Sequence, residues 1–215
     1  MNGDLVAIVP LGRAVEGDLM VAGQTMLDRT LTALARIGRL AEIVLVGEAG
    51  VVRSEPAAPV RLLVVEPGTG RLDAIRAALA AAGPAPRVLI HEPDRPLTSP
   101  GCIEAVLLAA EGLPAAVAAV PARNTLKRVV DGRVVETVPR ERLHQVQTPA
   151  VFERAVLDDA LRRDRREGWS CPDELTLVTR AGIPIRLVPG DLLNVRVSTS
   201  EAVPFAELTL SRSSA

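Results

Sequence analysis

Residues 6–38 read VAIVPLGRAVEGDLMVAGQTMLDRTLTALARIG. Four apolar residues, Val6 to Val9, run without alternation into Pro10, which is the pattern of a strand buried on both faces. Gly12 and Arg13 follow as a turn. From Thr25 the apolar residues Leu27, Leu31 and Leu34 recur at helical spacing, and Gly38 stands where a C-terminal cap is expected. Strand, turn and helix in that order begin a parallel α/β unit. The glycine-rich loop that would cradle a triphosphate is short, because only residues 11–22 separate Pro10 from Gly23.

The rest of the chain continues the alternation. Short β-branched runs at 43–46, 62–65, 88–90 and 117–120 read as further buried strands, and 71–82 and 100–111 as helices, with Gly83 and Gly112 as expected caps. This predicts a mostly parallel, doubly wound sheet, in which ligands bind beyond the carboxyl ends of the strands. The loops after Val9, Val65, Ile90 and Val120 are therefore the places to search. One segment departs from the pattern. Residues 124–149, NTLKRVVDGRVVETVPRERLHQVQTP, hold two alternating runs about an Asp131-Gly132 turn, a hairpin signal. An isolated two-stranded ribbon is marginal in water, so this arm, about 122–147, is expected to pack on a second subunit. Beyond it the sequence predicts a helix over 151–163, a strand over 183–188 and a closing helix over 200–208. Residues 1–210 are expected to form a single domain and 211–215 a flexible tail.

Composition narrows the class. The chain has 215 residues, long enough to bury a real core, and a formal net charge of −1, so no global field points to nucleic acid or to an anionic membrane. Lys127 is the only lysine, and arginine supplies the other cations. Cys102 and Cys171 share no metal-like spacing and suggest no disulfide framework, and no basic segment leads into an apolar leader. A cytoplasmic protein is expected, without nucleic-acid or membrane partners.

Four short constellations carry chemistry. In HEPDRP (91–96), Glu92 and Asp94 lie beside Arg95 just past a strand end. Carboxylates there can hold Mg²⁺ against phosphates and an arginine can clamp an oxygen, although taken alone these charges also fit a solvated loop. In PGTGRLDAIRAAL (67–79), Gly68 and Gly70 precede a helix opened by Arg71, whose N-terminal amides favour an anion or a base edge. QVQTP (145–149) puts Thr148 at the hairpin's return, and LLNVRVST (192–199) projects Arg196 from an extended segment.

Their order and spacing resemble the 2-C-methyl-D-erythritol 4-phosphate cytidylyltransferases, which carry a Gly…Arg…Ser turn, H-D-A-A-R-P, D-T-x-K, R-x-x-L-x-x-x-Q-T-P, T-D-D and N-I-K-x-T in the same order. The resemblance runs over almost the whole chain. It implies a Rossmann-like nucleotidyltransferase fold and a homodimer whose hairpin arm reaches its partner. It also implies transfer of a cytidylyl group from CTP, or another nucleotide, to a polyol phosphate with Mg²⁺ and release of pyrophosphate. By position it assigns Glu92 to the metal, and Pro10, Gly12, Gly68, Arg71, Ala74 and Arg95 to the nucleotide. Thr125, Arg140 and Thr148 go to the acceptor alcohol, and Arg13 and Arg196 to the reacting phosphate. Several positions differ from the family pattern. Arg196 replaces lysine, Glu92 replaces aspartate and Ala74 replaces serine. Pro93 and Asp94 replace two alanines, Asn124 an aspartate, and Pro172, Asp173 and Glu174 the T-D-D box. With the phosphate loop shortened as well, the resemblance implies weakened or altered activity, or alternatively an inactive paralogue kept as a dimeric scaffold.

Overall fold

Seven strands form one twisted sheet in the computed structural model, which describes residues 3–11, 19–47, 61–66 and 68–213. The first is β1 (Leu5–Pro10). A small ribbon, β2 (Met20–Val21) and β3 (Gln24–Thr25), leads into α1 (Met26–Ala35). Then come β4 (Leu40–Val46), β5 (Arg61–Val65), α2 (Arg71–Ala81), β6 (Arg87–Ile90), α3 (Pro100–Ala109) and β7 (Ala115–Pro121). The arm is β8 (Leu126–Val130) and β9 (Arg133–Val138). It returns through β10 (His144–Glu153) to α4 (Arg154–Glu167), α5 (Glu174–Arg180), β11 (Arg186–Pro189), a 3₁₀ turn (Ser200–Ala202) and α6 (Val203–Ser213). The order across the sheet is β11-β7-β10-β6-β1-β4-β5. Every pairing is parallel except those of β10, which runs antiparallel between β6 and β7.

Side-chain alternation shows why the strands are apolar without a break. Val6 and Ile8 of β1 bury into the core that α2, α4 and α5 cover, while Leu5, Ala7 and Val9 bury into the core beneath α1 and α3. Ile43 to Val46, Val88 to Ile90 and Ala150 to Phe152 divide in the same way. A strand covered on both faces has no position for a polar residue. A third, smaller cluster closes α6 over Val21, Met26, Leu97 and Val197, joining the chain's last helix to the ribbon before α1.

The helices start where their caps allow. Thr25 Oγ1 accepts the Asp28 amide at 3.0 Å, Ser99 Oγ accepts that of Cys102 at 3.2 Å with Pro100 opening the helix, and Asp173 Oδ1 accepts that of Thr176 at 2.7 Å. Three sequence expectations need correction. The helix expected over 151–163 begins only at Arg154, because Val151 and Phe152 finish β10 inside the sheet. Gly38, Gly83 and Gly112 are not themselves the capping residues, since α1, α2 and α3 are capped by Arg36, Ala82 and Ala110. The closing helix runs from Val203 to Ser213, past its expected end at 208.

The hairpin is as expected. Asp131 and Gly132 both have positive φ, 48° and 75°, which matches the strand twist in a two-residue turn. Its two strands pair only with each other, and Val129, Val130, Val134 and Val135 are 51–62% exposed. No helix among the described residues is long and apolar enough to cross a membrane, and both cysteines are free.

Candidate active site

Three arginines converge on one carboxylate where β6 ends. Glu92 Oε1 receives Arg196 Nη2 at 2.9 Å and Arg71 Nη1 at 3.3 Å, and its Oε2 receives Arg95 Nε at 3.3 Å. These residues come from the β6 loop, the first turn of α2 and the extended segment after β11, brought together by the strand order. Arg71, Arg95 and Arg196 are balanced by Glu92, Asp94 and Glu174, so the cluster carries little net charge as it stands.

The three guanidinium groups are held differently, and that decides what each can do. Arg71 gives a bidentate pair to Glu174, with Nε to Oε2 at 2.7 Å and Nη2 to Oε1 at 2.7 Å. Glu174 is almost fully buried. Burial works against the charge of Arg71, but its bonds to Glu174 and the nearby carboxylates outweigh that and raise its pKa above the ordinary arginine value. Arg95 is buried and donates Nη1 to the Asn194 carbonyl at 2.8 Å. Arg196 alone is half-exposed, with 52% of its side chain open to solvent. Its Nε donates to Asp94 Oδ2 at 2.8 Å. Of the three guanidinium groups, that of Arg196 is the most open to solvent.

A polar frame of hydrogen bonds supports the cluster. The Glu92 amide donates to Thr148 Oγ1 at 3.1 Å, and the His91 amide to the Ile8 carbonyl at 3.0 Å. Asn194 is fully buried: its amide donates to the Thr148 carbonyl at 2.9 Å and its Oδ1 accepts from Thr98 at 2.8 Å. Gln147 Nε2 donates to the carbonyls of Asp191 (2.7 Å) and Asn194 (3.1 Å). Gly190 makes room for it, since a Cβ there would lie 2.2 Å from Gln147 Oε1. Burial, reinforced by the charge of Arg95, lowers the His91 pKa to about 3, so the imidazole is neutral and sits in the wall of the site. Burial, followed by the charge of Glu92, raises the pKa of Asp94 against the opposing pull of Arg196. Its Oδ1 has no hydrogen-bond partner.

The expected site residues thus separate into groups. Arg71, Glu92, Arg95, Thr148 and Arg196 come together. Pro10 ends β1 in register with Val46, and Gly68 lies in the loop before α2. Ala74 places its methyl in the core and presents no group to a ligand. Thr125 and Arg140 sit on the arm, exposed, with Arg140 donating to the Arg123 carbonyl, and no described bond joins either to the cluster. Gly12 and Arg13 lie outside the described residues. Sequence reasoning gives no role to Asn194, Gln147 or Thr98, nor to Glu174 as the partner of Arg71. The first two are in view as members of the QTP and NVRVST boxes. Glu174 is in view only as a residue in place of the T-D-D box, and nothing local marks Thr98.

Glu92 is the residue to which the resemblance assigns Mg²⁺. Both its oxygens already accept from arginine, and no group of three or more His, Cys, Asp or Glu side chains gathers among the described residues. These residues do not fit an all-protein cage. They do fit one carboxylate beside a triphosphate, the usual arrangement for Mg²⁺ that arrives on a nucleotide.

Known proteins resemble this chain over nearly its whole length. The profile of the 2-C-methyl-D-erythritol 4-phosphate cytidylyltransferase family matches residues 18–212. The enzyme of that name from Symbiobacterium thermophilum is 36% identical over 198 residues, which is 89% of this chain and 83% of that one. The one from Syntrophus aciditrophicus is 31% identical over 99% of this chain and 98% of its own. The crystal structure of the Thermus thermophilus enzyme superposes with a TM-score of 0.81 at 32% identity, covering 96% of this chain and 98% of that one. With the sheet order, the ordered boxes and the strand-end cluster all in place, this chain belongs to the 2-C-methyl-D-erythritol 4-phosphate cytidylyltransferase family.

Proposed function

We propose that this chain joins CTP and 2-C-methyl-D-erythritol 4-phosphate, releasing pyrophosphate, as a cytoplasmic homodimer. The observation that carries this reading is the convergence of Arg71, Arg95 and Arg196 on Glu92 beyond the end of β6. In the reaction a phosphate oxygen of the alcohol attacks the α-phosphorus in line. That P–O bond forms while the bond to the leaving pyrophosphate breaks. The chemistry is almost wholly positioning and charge neutralisation. Arg71 and Arg95, locked by Glu174 and by a carbonyl, supply N–H donors held in fixed positions. Arg196 exchanges Glu92 for the reacting phosphate and stabilises the charge that develops on it. Mg²⁺ bound with the nucleotide, with Glu92 as its protein carboxylate, would neutralise further phosphate charge. No observation favours the inactive scaffold.

The test is pyrophosphate release from CTP and the methylerythritol phosphate with Mg²⁺. Release that needs both substrates is expected. A folded protein that releases none with CTP or any other nucleoside triphosphate would overturn the reading.

The dimer rests on the arm, whose exposed Val129, Val130, Val134 and Val135 find no cover among the described residues. Light scattering coupled to size exclusion should give twice the 22.7 kDa chain mass. The double variant Val129→Asp/Val134→Asp should run as a monomer with its melting temperature little changed. A wild-type monomer at micromolar concentration would sink the dimer.

A further inference from the structure

We propose that Asp94 is the positioning residue for Arg196, holding the Nε edge of its guanidinium while the Nη end passes from Glu92 to the reacting phosphate. The inference rests on the transferase reading and extends it to a residue with no role there.

Asp94 grips the Arg196 segment at two levels. Its carboxylate Oδ2 lies 2.8 Å from Arg196 Nε, and its backbone carbonyl accepts the Val197 amide at 2.7 Å. Its side chain is only 2% exposed, whereas that of Arg196 is 52% exposed. The anchor is therefore rigid and the group it holds stands at the surface.

Glu92 cannot do this work alone. Its two oxygens serve Arg71 and Arg95 as well as Arg196. It is also the partner that a phosphate must replace, since both are anions competing for the same Nη group. When a phosphate takes the Nη end from Glu92, that end of the fork loses the contact that fixed it and regains rotamer freedom. A second carboxylate on the Nε edge keeps the fork aimed throughout.

The carboxylate also has a cost that packing does not explain. Asp94 Oδ1 is buried without a hydrogen-bond partner, and a buried charge so incompletely satisfied is poor evidence for a stabilising role. Removing it leaves Arg196 open to water, so no buried cation is orphaned.

The experiment is a double-mutant cycle on pyrophosphate release, with thermal melts alongside. Asp94→Ala should lower kcat about ten- to hundredfold, the effect of misplacing a charge near the reacting atoms, while KM for CTP moves less than about threefold. Its melting temperature should equal or exceed that of the wild type. Asp94→Asn, whose amide oxygen still accepts from Nε, should fall between the two, and it carries the test if the alanine variant does not fold. In the Arg196→Ala background, Asp94→Ala should change kcat by less than about twofold. A full multiplicative loss there, or a wild-type kcat in Asp94→Ala, would overturn the role of Asp94 while leaving the transferase reading intact. No turnover by the wild-type protein would overturn that reading and this role with it.

Discussion

Arg196→Ala is expected to lower kcat for pyrophosphate release about 10²–10³-fold, the loss seen when one preorganised donor to transition-state charge is removed. The size follows from its place in the cluster. Arg71 and Arg95 are committed to Glu174 and to the Asn194 carbonyl, so neither can move into the gap. KM for CTP should shift far less, because the fixed donors of Arg71 and Arg95 are unchanged in the ground state. Arg196→Lys keeps the charge but replaces a planar fork by a point charge, and a smaller loss of about tenfold is expected. Steady-state assays at saturating substrates decide the matter. An alanine variant within about twofold of wild-type kcat would show that the charge on the reacting phosphate is met elsewhere.

The largest loss of stability is expected at Glu174. Its carboxylate is 2% exposed and makes two 2.7 Å bonds to Arg71. Glu174→Ala leaves the Arg71 guanidinium, 26% exposed, with only the 3.3 Å contact to Glu92. Breaking one side of a buried pair costs about 3–5 kcal/mol, a large share of the roughly 5–15 kcal/mol that holds a domain together. For a chain of this size that corresponds to a fall in melting temperature of about 6–20 °C. Replacing both partners, Arg71→Leu with Glu174→Leu, should recover most of the stability, since an apolar pair has no charge to desolvate, but should not recover turnover. A melting temperature of Glu174→Ala within a degree or two of wild type would sink the assignment of this pair as structural.

How far each of these features was legible depended on the range of the forces behind it. The strands of the central sheet could be read because burial on both faces leaves a continuous apolar run, a local signature. The arm could be read because Asp131 and Gly132 state their turn in two residues. The start of α4 was misplaced because Val151 and Phe152 are as apolar as a helix face, and only their pairing with β6 fixes them as strand. The short α5 was invisible because part of its support is Glu174 bonded to Arg71, 103 positions away in the chain. The cluster itself was half legible. Its arginines and Glu92 stood out by type and order, while their mutual pairing, and the frame of Asn194, Gln147 and Thr98, exist only once the chain has closed.

That closure has an order in time. All the strands of the central sheet except β11 come from residues 5–153, whereas Asn194, Arg196 and α6 are synthesised after them. Growing from its N-terminus, the chain can bury most of its core well before it owns a site. A product released short of residue 190 would keep much of the sheet yet lack Arg196, the Arg95-binding carbonyl and the helix that covers Val21 and Met26. Ribosomes that stop early are thus expected to yield chains that hold much of the core but none of the site's last-made residues.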